Sequence, residues 1–541
     1  MAPTAGTSGR SAVAGSVLPT LAAGQFLMAL DSSVMNVSIA TVAEDVGTTV
    51  AGIQGAITAY TLVMAMLMIP GGKVGVLIGR RRAFMIGCVI YGCGSLTTAL
   101  APDLTVLLIG WSFLEGVGAA LILPSIVALV AGNFTVERRP AAYGFVAAAG
   151  AVAIALGPLI GGIATTYFSW RWVFAGEVVI VLVILVFARR LADAPAGDRA
   201  RIDLVGAVLS ALGLGAFVYG VLRSSAWGWF LPKPGAPAWL GISLTVWLLL
   251  AGLLLILLFL RWEARVLARG GEPLVDPALL RNRRLTGGLT MFFFQYFVQM
   301  GIFFVVPLYL SVALGLSALR TGARLLPLSL ALLAAAILIP RLFPDVSPRR
   351  VVRLGTLGLL AGAVALLAAL DADAGAEIVT LPLLLIGLGM GALASQLGAV
   401  TVSAVPDEQS AEVGGIQNAV TNLGSSIGTA LAGAIMIATL TSSFLGAVEQ
   451  SPAVPDELAG QAVVQLESGA PFLSDVQLRT ALEEAGASPE VTRAALDANA
   501  AARLDGLRAA LAILALTALV ALFFTQRIPA TQPGGVEAAA V

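Results

Sequence analysis

The sequence has no histidine and only two cysteines among its 541 residues. A metal site built from histidine and cysteine ligands is therefore excluded, and so is a hydrolase that pairs a nucleophile with a histidine. Charged residues are also scarce, at 11% of the chain, whereas a soluble domain carries about 25%. Much of the protein surface must therefore face something other than water.

Signals for nucleotide chemistry and for nucleic acid are missing as well. Gly72-Lys73 is followed by Val74, so it does not complete the phosphate-binding pattern Gly-x-x-x-x-Gly-Lys-Ser/Thr. Lysine plus arginine and aspartate plus glutamate both total 31, and the resulting zero net charge gives no basis for binding nucleic acid. We expect a protein that is not an enzyme, needs no cofactor or metal, and draws its energy from a gradient or works passively.

Long apolar runs dominate what is present. Hydrophobic residues make up 58% of the chain, and the mean hydropathy is +0.94. A helix needs about 20 apolar residues to cross a bilayer, and the runs lack the alternation typical of membrane strands. The predicted fold class is an all-α polytopic membrane protein with fourteen transmembrane helices. The runs are 17–40, 50–70, 83–101, 104–131, 140–166, 170–188, 203–222, 238–260, 287–314, 319–340, 351–370, 377–402, 413–440 and 507–526.

Basic residues are concentrated in alternate loops, which orients the chain. Cytoplasmic loops carry an excess of lysine and arginine, and placing both termini in the cytoplasm puts most basic residues on that side. The first run is too long for a signal peptide and contains Asp31, so we interpret it as an uncleaved helix. We predict a multi-pass protein of the cell (inner) membrane. The basic residues on the predicted cytoplasmic side include Lys73, Arg80, Arg81, Arg82, Arg138, Arg139, Arg189, Arg190, Arg261, Arg265, Arg349 and Arg350.

A faint internal repeat indicates two halves. The loop after the second run and the loop after the tenth both end in a pair of arginines. We predict that residues 441–505 form an external loop. This loop is either a solvated cap or a segment involved in gating or partner contact. Its alanine-rich stretch from Asp475 to Arg503 predicts one or two short helices. The predicted divisions are 1–190 (first six-helix bundle), 191–262 (two inserted transmembrane helices), 263–286 (cytoplasmic linker) and 287–541 (second six-helix bundle with the external loop).

Four charged residues stand out inside predicted transmembrane helices: Asp31, Glu115, Glu177 and Arg324. A charge at the bilayer centre costs about 2.5–3.5 kcal/mol on insertion scales, so such residues are candidate functional groups. Because histidine is missing, only carboxylates can take up and release protons inside the membrane. Each acid could instead form a structural hydrogen bond. Arg324 could extend to the outer surface or pair with a carboxylate in a cavity.

The fifth run contains Gly157-Pro158-x-x-Gly161-Gly162, in which small residues let helices approach closely and Pro158 kinks the helix. This cluster resembles the antiporter motif of the major facilitator superfamily, in its fourteen-helix drug:proton antiporter branch. The resemblance covers essentially all runs and implies two pseudo-symmetric bundles that expose a central cavity to each side in turn. It also implies a role for Asp31 in coupling or substrate contact. Further similar stretches are Leu30–Val37, Ser169–Phe174, and Gly414–Asn418 followed by Gly424 and Gly428.

The sequence departs from that family in the loop after the second run. The conformational motif there keeps Gly72, Gly79, Arg80 and Arg81, but Val76 stands where the family has aspartate. That aspartate normally helps to hold the outward-facing state through charge contacts. We therefore expect a different gating network in this protein.

Other departures concern proton coupling. In the fourth run, Ser112 replaces an arginine that the family links to coupling, and Glu115 replaces the usual glutamine. In the sixth run, Glu177 replaces the usual asparagine. The new acids could carry protons in place of the missing arginine, or they could bind a cationic substrate.

The ninth run supplies a candidate cavity wall. Phe292, Gln295 and Gln299 share one helical face. Aromatic rings and amides suit an amphipathic or cationic substrate, although aromatic side chains facing lipid or the core would give the same pattern. The predicted cavity-lining residues are Asn36, Phe292, Gln295, Tyr296, Gln299 and Asn418.

We predict a secondary transporter that exports small amphipathic or cationic compounds, such as drugs or antibiotics, in exchange for protons. A dedicated exporter of one natural product or lipid is an alternative within transport. A transport-inactive membrane sensor or partner protein is an alternative of another class. The predicted partners are a small-molecule substrate, protons and the lipid bilayer, and we expect the chain to act as a monomer.

Overall fold

The computed structural model describes residues 7–48, 50–193, 202–371, 375–450, 475–484 and 486–532. These residues are mostly helical, with one short strand hairpin. The helices, in chain order, are α1 (Thr7–Asp45), α2 (Val50–Ile78), α3 (Arg80–Ala99), α4 (Leu104–Asn133), α5 (Arg139–Tyr167), α6 (Arg171–Ala188), α7 (Leu204–Trp227), α8 (Leu244–Ala268), α9 (Arg283–Leu308), α10 (Ala318–Leu342), α11 (Pro348–Ala369), α12 (Thr380–Val402), α13 (Ser410–Glu449), α14 (Asp475–Glu484) and α15 (Pro489–Phe524).

Thirteen helical segments among the described residues are long and apolar enough to cross a membrane. Helix α3, which coincides with the third apolar run, is not one of the thirteen. It begins with three arginines and carries serine and threonine near its end, so its apolar content is lower. The prediction of an α-helical polytopic membrane fold is confirmed, whereas the count of fourteen transmembrane helices stays a prediction.

Helix α8 starts well after the first residue of its apolar run. The eighth run begins at residue 238, but β1 (Ala238–Trp239) and β2 (Ile242–Ser243) form an antiparallel hairpin there, and α8 begins only at Leu244. The Ser243 side chain accepts a hydrogen bond from Thr245 N and so caps the first turn of α8. Hydropathy does not detect this boundary because the hairpin residues are themselves mostly apolar.

The predicted external loop 441–505 is mostly helical where it is described. Helix α13 continues to Glu449, and α15 begins already at Pro489. Between them lies α14, which an ion pair from Asp475 to Arg503 joins to α15. Residues 451–474 of this segment lie outside the described residues. The difference arises because an apolar run marks only the part of a helix that fits lipid, while the helical backbone continues beyond it.

Helices α1 to α6 form a first bundle, in which close approach of backbones sets the packing. Helix α1 lies along α5, and α3 lies between α4 and α6. A Cβ on Gly87 of α3 would lie 3.0 Å from Gly118 O of α4, so these two helices touch through their backbones. Such contacts are typical of membrane helices, where burial in lipid provides no extra driving force for association.

Helices α9 to α13, together with α15, form a second bundle. It meets the first bundle along α5 with α10 and along α2 with α13. Helices α7 and α8 pair with each other, and α7 contacts α2. A Cβ on Gly144 of α5 would lie 2.8 Å from Ala336 O of α10, which shows how closely the bundles approach. The domain limits at residues 190, 262 and 286 stay predictions.

The predicted polar linker, residues 263–286, is packed rather than freely solvated. Helix α8 continues to Ala268, so the first residues of this segment are helical. Leu274 and Val275 are buried, and the Glu263 carboxylate accepts a hydrogen bond from Leu274 N at 2.7 Å. A few apolar residues inside a polar stretch are enough to hold it against the helices.

Residues of both bundles also form hydrogen bonds with this linker. Lys73 at the end of α2 donates a hydrogen bond to Pro273 O at 2.7 Å. Glu412 near the start of α13 accepts one from Asp276 N at 2.6 Å. The linker therefore lies across the ends of both bundles that carry the arginine-rich loops, which we refer to as the basic end.

Candidate functional site

Three of the predicted charged residues meet inside the first bundle. Asp31 of α1, Glu115 of α4 and Glu177 of α6 each place one carboxylate oxygen within 4.8 Å of the others. Their exposed fractions are 0%, 0% and 1%. These residues are referred to below as the carboxylate triad. Each was recognisable in the sequence as a charge within an apolar helix, but their meeting was not, because the three helices are distant in the chain.

The backbone around Glu115 explains how it enters the triad. Leu108–Glu115 of α4 is a π-helical segment, a wide helical turn that is rare and frequent at functional sites. A Cβ on Gly94 of α3 would lie 2.6 Å from Glu115 Cγ and 2.7 Å from Gly110 O. The absence of a side chain at Gly94 therefore lets α3 lie directly against Glu115 and supply polar groups to the triad.

Each triad carboxylate has one oxygen in contact with a polar side chain of the first bundle. Three of these side chains come from α3 and one from α4; the additional α3 side chain is Tyr91, whose Oη donates to Glu177 Oε2 at 3.4 Å. Thr98 Oγ1 also lies 2.9 Å from Gly94 O, so its single proton serves either that carbonyl or Glu115. The contacts are Trp111 Nε1 donating to Asp31 Oδ1 (2.7 Å), Ser95 Oγ donating to Glu177 Oε2 (3.1 Å) and Thr98 Oγ1 with Glu115 Oε1 (3.2 Å).

The other oxygen of each carboxylate has no hydrogen-bond partner among the described residues; these are Asp31 Oδ2, Glu115 Oε2 and Glu177 Oε1. Tyr60 Oη, which is buried and faces Asp31, forms no well-aligned hydrogen bond either. The Tyr60 ring stacks on Trp111 with its centroid 5.4 Å away, and this contact holds it in place. Because buried polar atoms are almost always paired, these oxygens make the triad a candidate site for a proton or a cation.

The charges of the triad lead to the same conclusion. Two unit negative charges 4.8 Å apart repel each other by about 3.5 kcal/mol at an effective dielectric constant of 20. None of the ion pairs between described residues includes a triad carboxylate. Since no arginine or lysine of the described residues pairs with the triad, its ionised form carries uncompensated negative charge, which favours protons or a cation as its occupant.

Replacing Gly94 with valine is expected to destabilise the first bundle by about 1–3 kcal/mol or more. The added side chain would overlap Glu115 and the backbone of Gly110, neither of which can move without shifting α4. Thermal unfolding of the detergent-purified variant measures the effect. The matched control is Gly176→Val, because no atom lies within 4 Å of a Cβ at Gly176. An unchanged melting temperature for Gly94→Val would contradict this account of the packing.

Two other sequence candidates lie outside the triad. Arg324 of α10 is partly exposed and pairs with Glu377, with 3.6 Å between Nη2 and Oε2. Ser112, where the family has arginine, donates a hydrogen bond to Ala56 O at 2.8 Å. This bond joins α4 to α2, and an arginine at position 112 would require α2 to move.

Two arginines of the first bundle bind one aspartate of the second at the basic end. Arg139 Nη2 donates to both carboxylate oxygens of Asp407, at 2.8 and 2.9 Å. Arg80 donates to the carbonyl oxygen of Asp407. We refer to these three residues as the basic-end latch. Arg80 was predicted from its motif, whereas Asp407 had no signal in the sequence because it lies in a loop where acids are common.

The remaining residues of the conformational motif have local roles. A Cβ on Gly72 would lie 2.8 Å from Ala411 O, so this glycine lets α2 contact α13. Gly79 has a φ of +95°, a left-handed conformation that favours glycine, and it leads into α3. Arg81 N donates to Asp193 Oδ1 at 3.0 Å, which keeps Arg81 within the first bundle.

The glycines of the antiporter motif hold α5 against the part of α1 that carries Asp31. A Cβ on Gly157 would overlap the Ser33 side chain, and Gly161 packs against the adjacent Val34 of α1. Gly162 is partly buried. The motif therefore positions the helix that supplies one triad residue.

The predicted cavity-lining residues of α9 are buried or partly buried. The exposed fractions of Gln295 and Gln299 are 4% and 7%. Gln295 Oε1 has no hydrogen-bond partner among the described residues. The rings of Phe292 and Tyr296 lie 6.4 Å apart between centroids and form an aromatic pair beside these amides.

The other predicted lining residues differ in how far they are described. Asn418 of α13 donates a hydrogen bond to Gly414 O in its own helix, at 2.8 Å. A Cβ on Gly414 would lie 2.8 Å from Pro124 O of α4, so this part of α13 faces the first bundle. The side chains of Asn36 and Pro158 lie outside the described part of the structure.

The family model described as "Major Facilitator Superfamily" matches residues 21–429. The puromycin resistance protein pur8 of Streptomyces alboniger is 32% identical over 442 residues, which cover 81% of this chain and 84% of that protein. The tetracenomycin C resistance and export protein of Streptomyces glaucescens is 29% identical over 435 residues, 79% and 77% of the two chains. The crystal structure of the human organic anion transporter MFSD10 matches with a TM-score of 0.56 at 13% identity, covering 96% of this chain and 98% of that one. The chain therefore belongs to the major facilitator superfamily, as a multi-pass membrane transporter rather than an enzyme.

Proposed function

We propose that this transporter exports small amphipathic or cationic antibiotics in exchange for protons, and that the carboxylate triad takes up and releases those protons. The names of two relatives support the substrate class, since one is a puromycin resistance protein and the other a tetracenomycin C resistance and export protein. The observation that carries the proton part is the triad itself, three buried carboxylates that form no ion pair with a basic side chain among the described residues.

The position of the triad favours protons over an organic substrate as its occupant. All the polar side chains that contact the triad belong to helices of the first bundle. An organic molecule would have to separate α1, α3, α4 and α6 to reach it, whereas a proton can pass between hydroxyl groups. Tyr91 Oη, 3.4 Å from Glu177 Oε2, is one such group.

The substrate is proposed to bind between the bundles instead. Gln295 of α9 and Gln417 of α13 each have a buried side-chain oxygen without a partner among the described residues. Polar groups of this kind next to aromatic rings suit a substrate with both apolar and hydrogen-bonding parts. The aromatic pair Phe292–Tyr296 supplies the rings.

Packing provides a route from proton binding to bundle movement. Asp31 lies in the part of α1 that Gly157 of α5 contacts through Ser33. Helix α5 in turn contacts α10 of the second bundle, where Ser329 Oγ donates to Ala151 O at 3.3 Å. Neutralising the triad relieves its repulsion, and we infer that α1 and α5 then shift together against α10.

The proposed orientation places the basic end in the cytoplasm, as the distribution of arginines indicates. In this orientation the basic-end latch closes the cytoplasmic side. The transporter is proposed to act as a monomer in the inner membrane, with protons entering from outside and substrate leaving the cell.

A second candidate within transport is a dedicated exporter of one natural product. The tetracenomycin C resistance and export protein is similar over most of both chains, and its name refers to one compound. A dedicated exporter would transport one member of a substrate panel, whereas broad efflux would move several unrelated members.

Transport into vesicles with an acidic interior tests the proposal. The purified full chain is reconstituted, and uptake of puromycin, tetracenomycin C and a lipophilic cation is recorded together with internal pH. For one proton exchanged per substrate, a difference of two pH units at zero potential supports about a hundredfold accumulation. We expect uptake of at least one compound, alkalinisation of the interior, and loss of both when an ionophore collapses the gradient.

Two results of this vesicle experiment would count against the proposed function. Uptake that continues without a pH gradient would contradict proton antiport. No uptake of any compound in the panel, with the protein shown to be folded, would favour the sensor alternative. Empty vesicles and vesicles with heat-unfolded protein provide the background rates.

A further inference from the structure

We propose that the carboxylate triad is also a binding site for a hard metal cation of the size of Ca²⁺ or Na⁺. The ligands are one oxygen each from Asp31, Glu115 and Glu177. The binding itself is independent of the exported substrate, while any role of the ion in transport rests on the proposed function. Protons and this cation would then be alternative occupants of one site.

The arrangement of hydrogen bonds around the triad is that of a metal site with its outer shell in place. One oxygen of each carboxylate contacts a polar side chain, and the other has no protein partner among the described residues. Metal-binding carboxylates are oriented by outer hydrogen bonds in this way. Proton carriage alone does not require three carboxylates held with a free oxygen on each.

A second observation, independent of the acids, points to a ligand at the same place. Tyr60 is 2% exposed, faces Asp31, and has no well-formed hydrogen bond for its hydroxyl among the described residues. Its ring is fixed by stacking on Trp111, so the hydroxyl cannot turn away without breaking that contact. A tyrosine hydroxyl oxygen is a hard donor that can complete the coordination of a cation.

The distances select the size of the ion. Three oxygens no more than 4.8 Å apart all lie within about 2.8 Å of a common centre, close to the 2.3–2.6 Å bonds that Ca²⁺ forms. Mg²⁺ needs shorter bonds and retains several waters, which a site enclosed by packed helices does not favour. Metals that prefer nitrogen or sulfur are excluded, since the chain has no histidine and the triad contains no cysteine.

Charge favours the divalent ion of the two. Ca²⁺ leaves one negative charge on three ionised carboxylates, which a single proton can neutralise. Na⁺ leaves two, so more repulsion persists between oxygens that lie within 4.8 Å. We therefore expect Ca²⁺ to bind more tightly than Na⁺ at the same pH.

Equilibrium binding of radioactive Ca²⁺ and, separately, Na⁺ to the detergent-purified full chain tests this proposal. We expect one saturable Ca²⁺ per chain for the wild type and its loss in Glu115→Gln. Glu263→Gln is the matched control, because Glu263 is equally buried but lies outside the triad; it should bind like the wild type. Thr98→Val should weaken binding by about 10–100-fold, as expected when an outer hydrogen bond is removed.

Three results would overturn the proposal. These are the absence of saturable binding of either ion up to about 10 mM, well above the weakest range of protein Ca²⁺ sites; equal binding by the wild type and Glu115→Gln; and loss of binding in Glu263→Gln alone. Thermal unfolding of every variant separates lost ligands from lost folding.

The same preparations distinguish this proposal from the proposed function. A wild-type protein that accumulates antibiotic in a pH gradient but binds neither ion contradicts only the cation site. One that binds Ca²⁺ at the triad but transports nothing contradicts only the proposed function.

Discussion

Asparagine in place of Asp31 is expected to abolish uphill export while leaving the protein folded. Asparagine still accepts the hydrogen bond from Trp111 Nε1 but cannot carry a proton. With a pH difference of two units, the wild type can accumulate substrate about a hundredfold for one proton exchanged, whereas Asp31→Asn should reach a ratio of about one. Steady-state accumulation in reconstituted vesicles measures this directly.

Glu263→Gln provides the control for this experiment, because it removes a buried carboxylate outside the triad and should keep the wild-type ratio. Substrate affinity should change by less than about threefold in Asp31→Asn, since the proposed substrate site lies between the bundles. A hundredfold accumulation by Asp31→Asn would refute the assignment of coupling to this residue. A large loss of affinity with coupling intact would instead place Asp31 in contact with substrate.

Asparagine in place of Asp407 is expected to open the basic end. Arg139 is buried and binds both oxygens of the Asp407 carboxylate, but about half of the Asp407 side chain is exposed. Removing the charge should therefore cost the closed state about 1–2 kcal/mol, less than a fully buried pair would. That corresponds to a fivefold to thirtyfold shift in the ratio of closed to open molecules.

Spin labels at two exposed positions of the basic end report this shift. In a background with Cys88 and Cys93 replaced, Arg82→Cys of α3 and Arg350→Cys of α11 label one bundle each. We expect the population with the longer distance to increase in Asp407→Asn.

The end of the first bundle opposite the basic end supplies a matched control for the loss of an ion pair. Asp45→Asn breaks an ion pair with Arg171, but both residues belong to the first bundle. The distance between the two labels should therefore stay that of the wild type. Equal distance distributions in Asp407→Asn and the wild type would show that the latch does not hold the bundles together.

Parts of the candidate site could be recognised from the sequence because they obey local rules. Asp31, Glu115 and Glu177 stand out as charges in apolar helices, where each carries a large insertion cost. The glycines of the antiporter motif stand out by their spacing, and the structure shows two of them in contact with α1. A single helix segment is enough to identify each of these features.

Other parts depend on which helices become neighbours. Ser95 and Thr98 are ordinary polar residues of α3, and nothing in their local sequence distinguishes them from other serines and threonines in membrane helices. They become part of the site only because Gly94 lets α3 lie against Glu115. The pairing of Arg139 with Asp407 likewise joins loops that are far apart in the chain.

The ends of the helices show the same limit of prediction from sequence. Apolar runs located the membrane helices, but α13 and α15 extend beyond their runs, and α8 begins after a hairpin of apolar residues. Hydropathy reports where lipid surrounds a helix, whereas hydrogen bonding of the backbone decides where the helix starts and stops. The linker at residues 263–286 packs through a few apolar residues that average composition conceals.

Composition and apolar runs are enough to place this protein in a membrane without histidine chemistry, and short motifs relate it to transporters. All of these signals are local. Three acids from distant helices meet in one enclosed place, with no basic partner among the described residues, only in the folded protein. The reason is physical: the repulsion and the unfilled oxygens that make the triad a candidate site arise from distances of a few ångströms between different helices, which no single segment contains.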